Sequence, residues 1–193
     1  MKKTIGLCLC LAAATACWGP QAKRYFELDA RPGDASGTAI DKAVFIEGVT
    51  VTDLYDDFRI LYRLSPTEVN YYNYDFWTQK PSRLLRDAIY RYLIERNAFR
   101  RVLLLPSAEE PEWTLRAAVR RIEELDGPAG WSGRLSMELA VVESKGGKIV
   151  ARRSFDRAVP MPVKNAAALP PALSKILGEE LELLLRDLRA LGQ

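Results

Sequence analysis

The stretch ILYRLSPTEVNYYNYDFWTQKPSRLLRDAIYRYL, residues 60–93 of a 193-residue chain, has the clearest secondary-structure pattern in the sequence. Its aromatic and β-branched residues predict strands over 60–64 and 69–77, and the Ser-Pro-Thr turn between them predicts that these strands form a hairpin. Apolar residues then recur at helical spacing and predict a helix over 82–98, for which Ser82 is the expected N-cap. A hairpin that runs directly into an amphipathic helix indicates a sheet with a helix packed against it.

The rest of the chain adds further strands and a second helix. Alternating or β-branched patterns predict strands over 25–28, 43–51, 101–105, 113–120, 135–141 and 149–155. A Gly-Gly pair at 146–147 predicts a tight hairpin turn, and another turn is expected over 126–130. Leucines spaced by three and four predict a helix over 172–191, which packs on the core or, alternatively, forms an oligomer contact. The order of elements favours an α+β fold, with a single largely antiparallel sheet and both amphipathic helices packed on one face.

Composition and charge exclude several classes of function. The chain carries 28 Lys and Arg against 25 Asp and Glu, and it shows no basic stripe of the kind typical of nucleic-acid binding. It contains no histidine, which excludes a Ser-His-Asp triad and a histidine-ligated zinc site. Glu109, Glu110 and Glu112 lie in a proline-bounded loop, where carboxylates are ordinarily solvated. We therefore expect a protein that is not an enzyme, binds no cofactor or metal and has no nucleic-acid partner.

The first residues have the pattern of a secretory signal. Lys2 and Lys3 precede an apolar segment over 5–16, which has the length of a signal-peptide core and is too short to cross a bilayer. Three small residues then lead into Cys17, an arrangement that resembles a bacterial lipobox. A lipobox predicts that the signal peptide 1–16 is removed and that the thiol of Cys17 carries acyl chains, which anchor the protein to a membrane. The alternative is an ordinary signal peptide, with Cys17 incidental.

Residues around this cysteine refine the prediction. Ala14 stands where leucine is commoner, and Trp18 is unusual after the cysteine, so both depart from the lipobox pattern. Gly19 rather than aspartate occupies the second position after the cysteine, which by resemblance to Gram-negative sorting signals implies the outer membrane. Residues 17–24 are then expected to form a short tether, and a single domain is expected over 25–193.

Three features together resemble one family of lipoproteins. They are the signal that ends in Cys17, the segment 60–93 with its Tyr-Arg-x-Ser-Pro turn and Trp-x-x-x-Pro helix start, and the Gly-Gly hairpin followed by a Pro-Pro helix. In this order they resemble the ABC-type transport auxiliary lipoprotein family, which includes the lipoprotein of the paraquat-inducible operon. The resemblance implies a periplasmic domain, tethered to the outer membrane, with a fold like the N-terminal domain of TolB. It also implies partnership with an ABC permease and ATPase complex that contains a lipid-binding MCE-domain protein, and it allows a homo-oligomer.

The function that follows is that of a non-enzymatic auxiliary component of an ABC-type, MCE-linked lipid transport system. The acyl chains of Cys17 would hold the domain at the membrane, where it gives the transporter a landing site. The alternative is an outer-membrane lipoprotein that regulates a cell-wall synthase, which would need a long tether to cross the peptidoglycan. About seven residues separate Cys17 from the first predicted strand and span roughly 25 Å when extended, which favours the transport function.

The second strand of the predicted hairpin supplies the candidate contact residues. Period two places Tyr72, Tyr74 and Phe76 on one face and Tyr71 and Trp77 on the other. Tyrosine and tryptophan are enriched at interfaces, so Tyr71 and Trp77 are the predicted partner surface, with core packing as the alternative. Core packing is expected for the face of Phe76. The cations of the helix that follows are expected to be solvated, with lipid-phosphate binding as their alternative.

Overall fold

Eight strands and two α-helices form the part of the chain that the computed structural model describes, which is residues 21–33, 37–106, 108, 110–128 and 130–191. The strands are β1 (Arg24–Phe26), β2 (Ile40–Val51), β3 (Arg59–Ser65), β4 (Glu68–Trp77), β5 (Phe99–Leu103), β6 (Trp113–Gly127), β7 (Gly130–Glu143) and β8 (Ile149–Pro160). The helices are α1 (Pro81–Glu95), between β4 and β5, and α2 (Leu169–Leu191), which follows a short 3-10 turn at Ala166–Ala168. This order of elements confirms the α+β class.

The strand β6 organises the sheet, because both of its edges are paired. β7 runs antiparallel along its whole length, and β8 continues the sheet beyond β7. The other edge is shared between two strands. β2 pairs with the first half of β6, with Ile46 opposite Leu115, and β3 pairs with the second half, with Tyr62 opposite Glu124. β5 flanks β2, while β4 and then β1 flank β3, so the sheet branches at β6.

The sheet is mixed, and the prediction of a largely antiparallel sheet is wrong. β2 and β3 run parallel to β6, β5 runs parallel to β2, and β1 runs parallel to β4. The segment 52–58 is one cause, because it ends β2 without reversing the chain. It contains a short turn in which Tyr55 N–H donates to Thr52 O at 2.8 Å, after which β3 continues along the same edge of β6. β2 and β3 therefore lie end to end along one edge of β6. The predicted likeness of the fold to the N-terminal domain of TolB stays a prediction.

Both helices pack on one face of the sheet and contact each other. On that face β6 and β7 present buried apolar pairs, of which one is Leu115 opposite Val141 and the next is Ala117 opposite Leu139. These side chains belong to the same core cluster as the buried residues of α1 and α2. The hydroxyl of Tyr92 on α1 donates to the carboxylate of Glu182 on α2 at 2.8 Å, which ties the two helices together.

The leucine repeat of α2 serves the core. Five of its members are at most 2% exposed: Leu173, Leu177, Leu181, Leu184 and Leu188. Burying a leucine side chain stabilises a fold by about 1.5–3 kcal/mol, so the repeat supplies much of the energy that holds α2 on the sheet. The last member, Leu191, is exposed.

The ends of α1 differ from those predicted. Pro81 is the first helical residue, a position where its missing N–H is not needed, so Ser82 lies inside the helix rather than at the N-cap. The acceptor comes from another segment, since the carboxylate of Asp56 accepts the N–H of Ser82 at 2.9 Å. The helix ends at Glu95, earlier than predicted, because Asn97 adopts a left-handed conformation with φ 49°.

The strands β6 and β7 are longer than predicted. A bulge interrupts the alternation of buried and exposed residues in β6, so the sequence pattern shows only its first part. Its register against β7 shifts between Val119 and Arg121. Beyond that point Glu123 and Glu124 are both fully buried, although they are neighbours in the chain. Two charged residues inside a strand hide its pattern in the sequence.

Gly133 of β7 allows the first turn of α2 to approach the sheet closely. A Cβ atom at this position would lie 2.9 Å from Ala172 Cβ and 3.0 Å from Leu169 Cδ1. We expect Gly133→Ala to lower the free energy of unfolding, measured by urea denaturation, by about 1–3 kcal/mol, the usual cost of overpacking a core. Gly48→Ala is the matched control, because no atom lies within 4 Å of its added Cβ. An equal loss in both variants would contradict this packing.

Candidate functional site

The predicted anchor precedes the described part of the chain. Cys17 and the signal peptide 1–16 lie outside the described residues, so their processing and lipidation stay predictions. The described chain starts at Gln21 and enters β1, which pairs with the end of β4 at one edge of the sheet. An anchor on Cys17 would therefore join the domain at this edge.

The structure separates the two residues of the predicted partner surface. Trp77 is 2% exposed and lies in the core, so its side chain is not on a surface of the described chain. Tyr71 is only half-buried. The difference arises because β4 gains extra residues against β3 between Tyr71 and Phe76, which breaks the period-two alternation. Of the two residues, only Tyr71 therefore remains a predicted partner contact.

Three aromatic residues form a surface that we call the aromatic edge, defined by Tyr25, Phe58 and Phe76. Tyr25 stacks on Phe76 with ring centroids 5.7 Å apart, and the Lys23 ammonium lies 5.4 Å from the centroid of Phe76. Tyr25 is 61% exposed and Phe58 is 48% exposed. The expectation that Phe76 faces the core is wrong, because Trp77 next to it takes the core-facing position in β4.

Tyr71 borders this edge and is held in one orientation. The Arg59 guanidinium lies 4.1 Å from the centroid of its ring, and its hydroxyl donates to Leu54 O at 2.8 Å. Asp57 accepts two hydrogen bonds from the guanidinium of Arg59, at 3.0 and 2.8 Å, and a third from its backbone N–H at 2.8 Å. The guanidinium of Arg59 keeps the pKa of Asp57 below its usual range, so the pair stays ionised. The ring of Tyr71 is thus fixed before any partner binds.

A buried polar cluster joins β3, β6 and the turn between β2 and β3. Glu123 is fully buried, and one of its oxygens accepts from the Tyr55 hydroxyl at 2.8 Å and from Arg63 Nε at 2.9 Å. Arg63 also donates to the Tyr55 hydroxyl oxygen at 2.9 Å. Burial, reinforced by the charge of Glu123, raises the pKa of Tyr55, so the phenol keeps the proton that it donates. The cluster therefore pairs the charge of Glu123 with that of Arg63 inside the domain, while the second oxygen of Glu123 makes no hydrogen bond.

Glu124 forms a second buried pair, with Tyr72. The Tyr72 hydroxyl lies 3.0 Å from both carboxylate oxygens of Glu124, which is fully buried. Burial raises the pKa of Glu124, because the ionised carboxylate loses its water, and the hydrogen bond from Tyr72 offsets only part of this effect. No local pattern in the sequence indicates either buried glutamate, since their partners are distant in the chain.

Glu124→Gln is expected to change how stability depends on pH. The folded chain binds the Glu124 proton more tightly than the unfolded chain, whose carboxyl titrates near 4.5, so wild-type stability falls as the pH rises above that value. The variant lacks this fall and is expected to have the larger free energy of unfolding at neutral pH, measured by urea denaturation at several pH values. Tyr72→Phe removes a hydrogen bond that favours the ionised form, so its fall is steeper. Parallel pH profiles for wild type and Glu124→Gln would contradict this assignment.

The acidic loop before β6 is tied to the sheet rather than fully solvated. Glu112 accepts the N–H of Ala43 at 2.7 Å, which lowers the pKa of its carboxyl. Glu110 pairs with Lys145 at 2.7 Å on the surface, and Glu109 lies outside the described residues.

Within the described ranges, no group of three or more His, Cys, Asp or Glu side chains is placed to hold a metal ion. Among the same residues, no helix combines the length and apolar character needed to cross a bilayer.

Two solved structures share the fold. Protein XCC0632 from Xanthomonas campestris is 20% identical, with 86% of this chain and 96% of that chain aligned at a TM-score of 0.72. The crystal structure of an uncharacterized protein is 16% identical, with 86% of this chain and 99% of that chain aligned at a TM-score of 0.68. Both have a domain of nearly the same extent as this chain.

The sequence itself matches a family. No curated protein matches the chain at a significant level. The family model described as the ABC-type transport auxiliary lipoprotein component matches residues 26–182, which include all eight described strands except the start of β1 and most of α2. This chain therefore belongs to the ABC-type transport auxiliary lipoprotein family.

Proposed function

We propose that this chain is a non-enzymatic auxiliary lipoprotein of an ABC-type lipid transport system that contains an MCE-domain protein. The observation that carries the proposal is the family match over 26–182, because it takes in nearly the whole described domain. The lipobox-like sequence that ends in Cys17 supports acylation, and Gly19 supports sorting to the outer membrane, with the domain in the periplasm.

The role would be mechanical. Acyl chains on Cys17 hold the protein at the inner leaflet of the outer membrane, and the domain offers the periplasmic part of the transporter a place to dock. Anchoring both partners in one compartment raises their effective concentration, so a weak contact suffices. Tyr71 is the proposed contact residue, because its half-buried ring is already fixed by Arg59 and by the hydrogen bond to Leu54 O.

The charges inside the domain support a scaffold rather than a catalyst. Glu123 is engaged by Tyr55 and Arg63 within the domain. Glu180, which is 3% exposed, accepts from Arg153 at 3.1 Å and also forms an ion pair with Arg157, and both arginines lie on β8. These buried ion pairs link β3 to β6 and β8 to α2, and such links make the domain rigid, as a docking scaffold requires.

The length of the tether favours transport over regulation of a cell-wall synthase. Seven positions separate Cys17 from the first residue of β1, Arg24, and a fully extended chain of that length spans about 25 Å. The domain is then held close to the membrane. A regulator that works across the peptidoglycan would need a much longer connection.

The test is site-specific photo-crosslinking in cells. A photoreactive amino acid replaces Tyr71 in the full chain, and a second variant carries it at Leu105, which is 72% exposed beyond the far edge strand β5. We expect the Tyr71 variant alone to give an adduct with the MCE-domain protein. If neither variant gives this adduct while both remain in the membrane fraction, the partnership is wrong. An adduct with a cell-wall synthase instead would favour the alternative.

A further inference from the structure

We propose that the aromatic edge, with its neighbouring cations, rests on the phospholipid surface of the membrane that holds the anchor. This contact depends on the proposed lipidation of Cys17, and it assigns an orientation to the anchored domain. The edge is the part of the described surface that lies next to the point where the tether enters the fold.

Strand register brings the aromatic edge together. Tyr25 on β1 lies opposite Phe76 on β4, and Phe76 lies opposite Arg59 on β3, so three adjacent strands present these side chains side by side. Phe58 precedes Arg59, and its carbonyl accepts the N–H of Trp77 at 2.7 Å, which fixes it beside the same strand end. More than half of Tyr25 and nearly half of Phe58 are exposed, which water does not favour for rings of this size.

Cations surround these rings and have no carboxylate bound to them. Within the described residues, no ion pair engages Lys23, Lys80 or Arg83. Phe58, Lys80 and Arg83 line one shallow depression of about 420 Å³ at the start of α1. Three acids around this depression have other partners: Asp57 pairs with Arg59, Asp56 accepts an N–H of α1, and Glu27 accepts from the Thr78 hydroxyl. Exposed rings next to free cations match the chemistry of a headgroup layer, where aromatic residues collect and phosphates attract lysine and arginine.

Tether length places the edge within reach of the lipid. Tyr25 lies eight positions after Cys17, so the two lie no more than about 28 Å apart. The 15 residues of β6 extend over roughly 50 Å, so of the two ends of the sheet only the end that carries β1 is held near the anchor by the tether. The aromatic edge is the exposed apolar surface of the described domain that is covalently closest to the anchor.

The test uses the cysteine content of the chain. Its cysteines are Cys8, Cys10 and Cys17, so after signal removal and acylation a cysteine introduced into the domain is the only free thiol. Tyr25→Cys and Phe58→Cys each receive an environment-sensitive dye in the full lipidated chain. The protein is then reconstituted in vesicles of phosphatidylethanolamine and phosphatidylglycerol that contain a nitroxide-labelled lipid.

Leu105→Cys and Ile149→Cys are the matched controls, because both residues are exposed and apolar and lie far from β1 in the sheet, Leu105 just after β5 and Ile149 at the start of β8. We expect a blue-shifted emission that the nitroxide lipid quenches at positions 25 and 58, and neither effect at the two controls. Equal emission and quenching at all four positions, in protein that has incorporated palmitate, would overturn the edge contact and leave the anchor intact. A chain that incorporates no palmitate would overturn the anchor and the edge contact together. If positions 25 and 58 are quenched in vesicles alone but lose the quenching when a transporter protein is added, the aromatic edge binds that protein in the assembled system. That result would overturn the lipid contact there.

Discussion

Cys17→Ala is expected to move the protein from the membrane fraction to the soluble periplasmic fraction. The thiol is the group that takes a thioether-linked lipid, and alanine cannot replace it. Each buried CH₂ of an acyl chain contributes about 0.8 kcal/mol to membrane affinity, so losing every chain removes the affinity that stable anchoring requires. The measurement is incorporation of radiolabelled palmitate, together with fractionation of the cells.

Cys10→Ala is the matched control for this variant. Cys10 lies in the apolar segment of the signal and would be removed with it, so the control should remain labelled and membrane-bound. If Cys17→Ala takes up as much palmitate as wild type, the anchor is not on Cys17. An intact Met1 in the mass spectrum of the native protein would reject the signal peptide as well.

Arg63→Met is expected to lower the free energy of unfolding by about 3–5 kcal/mol. The substitution keeps an apolar stem of similar length but removes the charge that faces Glu123, a carboxylate with no exposed surface. Removing one partner of a buried ion pair leaves an uncompensated charge, which is the costly outcome. Tyr55 alone would then donate to Glu123, since the guanidinium of Arg134 is 3.8 Å away and makes no hydrogen bond to it. Urea denaturation measures the loss.

A second variant distinguishes the buried charge from lost packing. Arg63→Met combined with Glu123→Gln keeps an acceptor for the Tyr55 hydroxyl and removes the stranded charge, so it is expected to recover most of the stability. Arg116→Met is the surface control, because Arg116 and Glu47 are both about half exposed, and it should cost less than about 1 kcal/mol. A double variant as unstable as Arg63→Met would show that packing, not charge, causes the loss.

The elements of the fold and its three antiparallel hairpin pairs were predictable, and the parallel pairing of the strands was not. Local patterns identify the 60–93 segment because turn residues and helical spacing act over a few neighbours. The parallel pairs depend on where the chain goes after 52–58, and no local pattern records that β3 continues along β6 instead of folding back on β2. The bulge after Val119 was equally unpredictable from the local pattern, because it places two adjacent glutamates inside the domain.

The candidate site was predictable only in part. Aromatic composition drew attention to β4, but the burial of Trp77 and the half-buried position of Phe76 outside the core follow from extra residues in that strand, which strict alternation cannot anticipate. Tyr25 belongs to a three-residue strand at the sheet edge, and its role depends on stacking against a residue about fifty positions away. Contacts of that kind become visible only when the register of the sheet is known.

The shortness of β1 determines how the domain would respond to a pull through the proposed anchor on Cys17. Its three residues pair with the end of β4 and are braced by the Arg24–Asp75 ion pair, whereas Leu28 just beyond is fully buried. A tensile load that enters through the tether therefore detaches residues 24–27 before it reaches Leu28. The release adds roughly 14 Å of reach, since each extended residue contributes about 3.5 Å. With an anchor on Cys17, such a pull would lengthen the tether while the core residues from Leu28 onward stay packed.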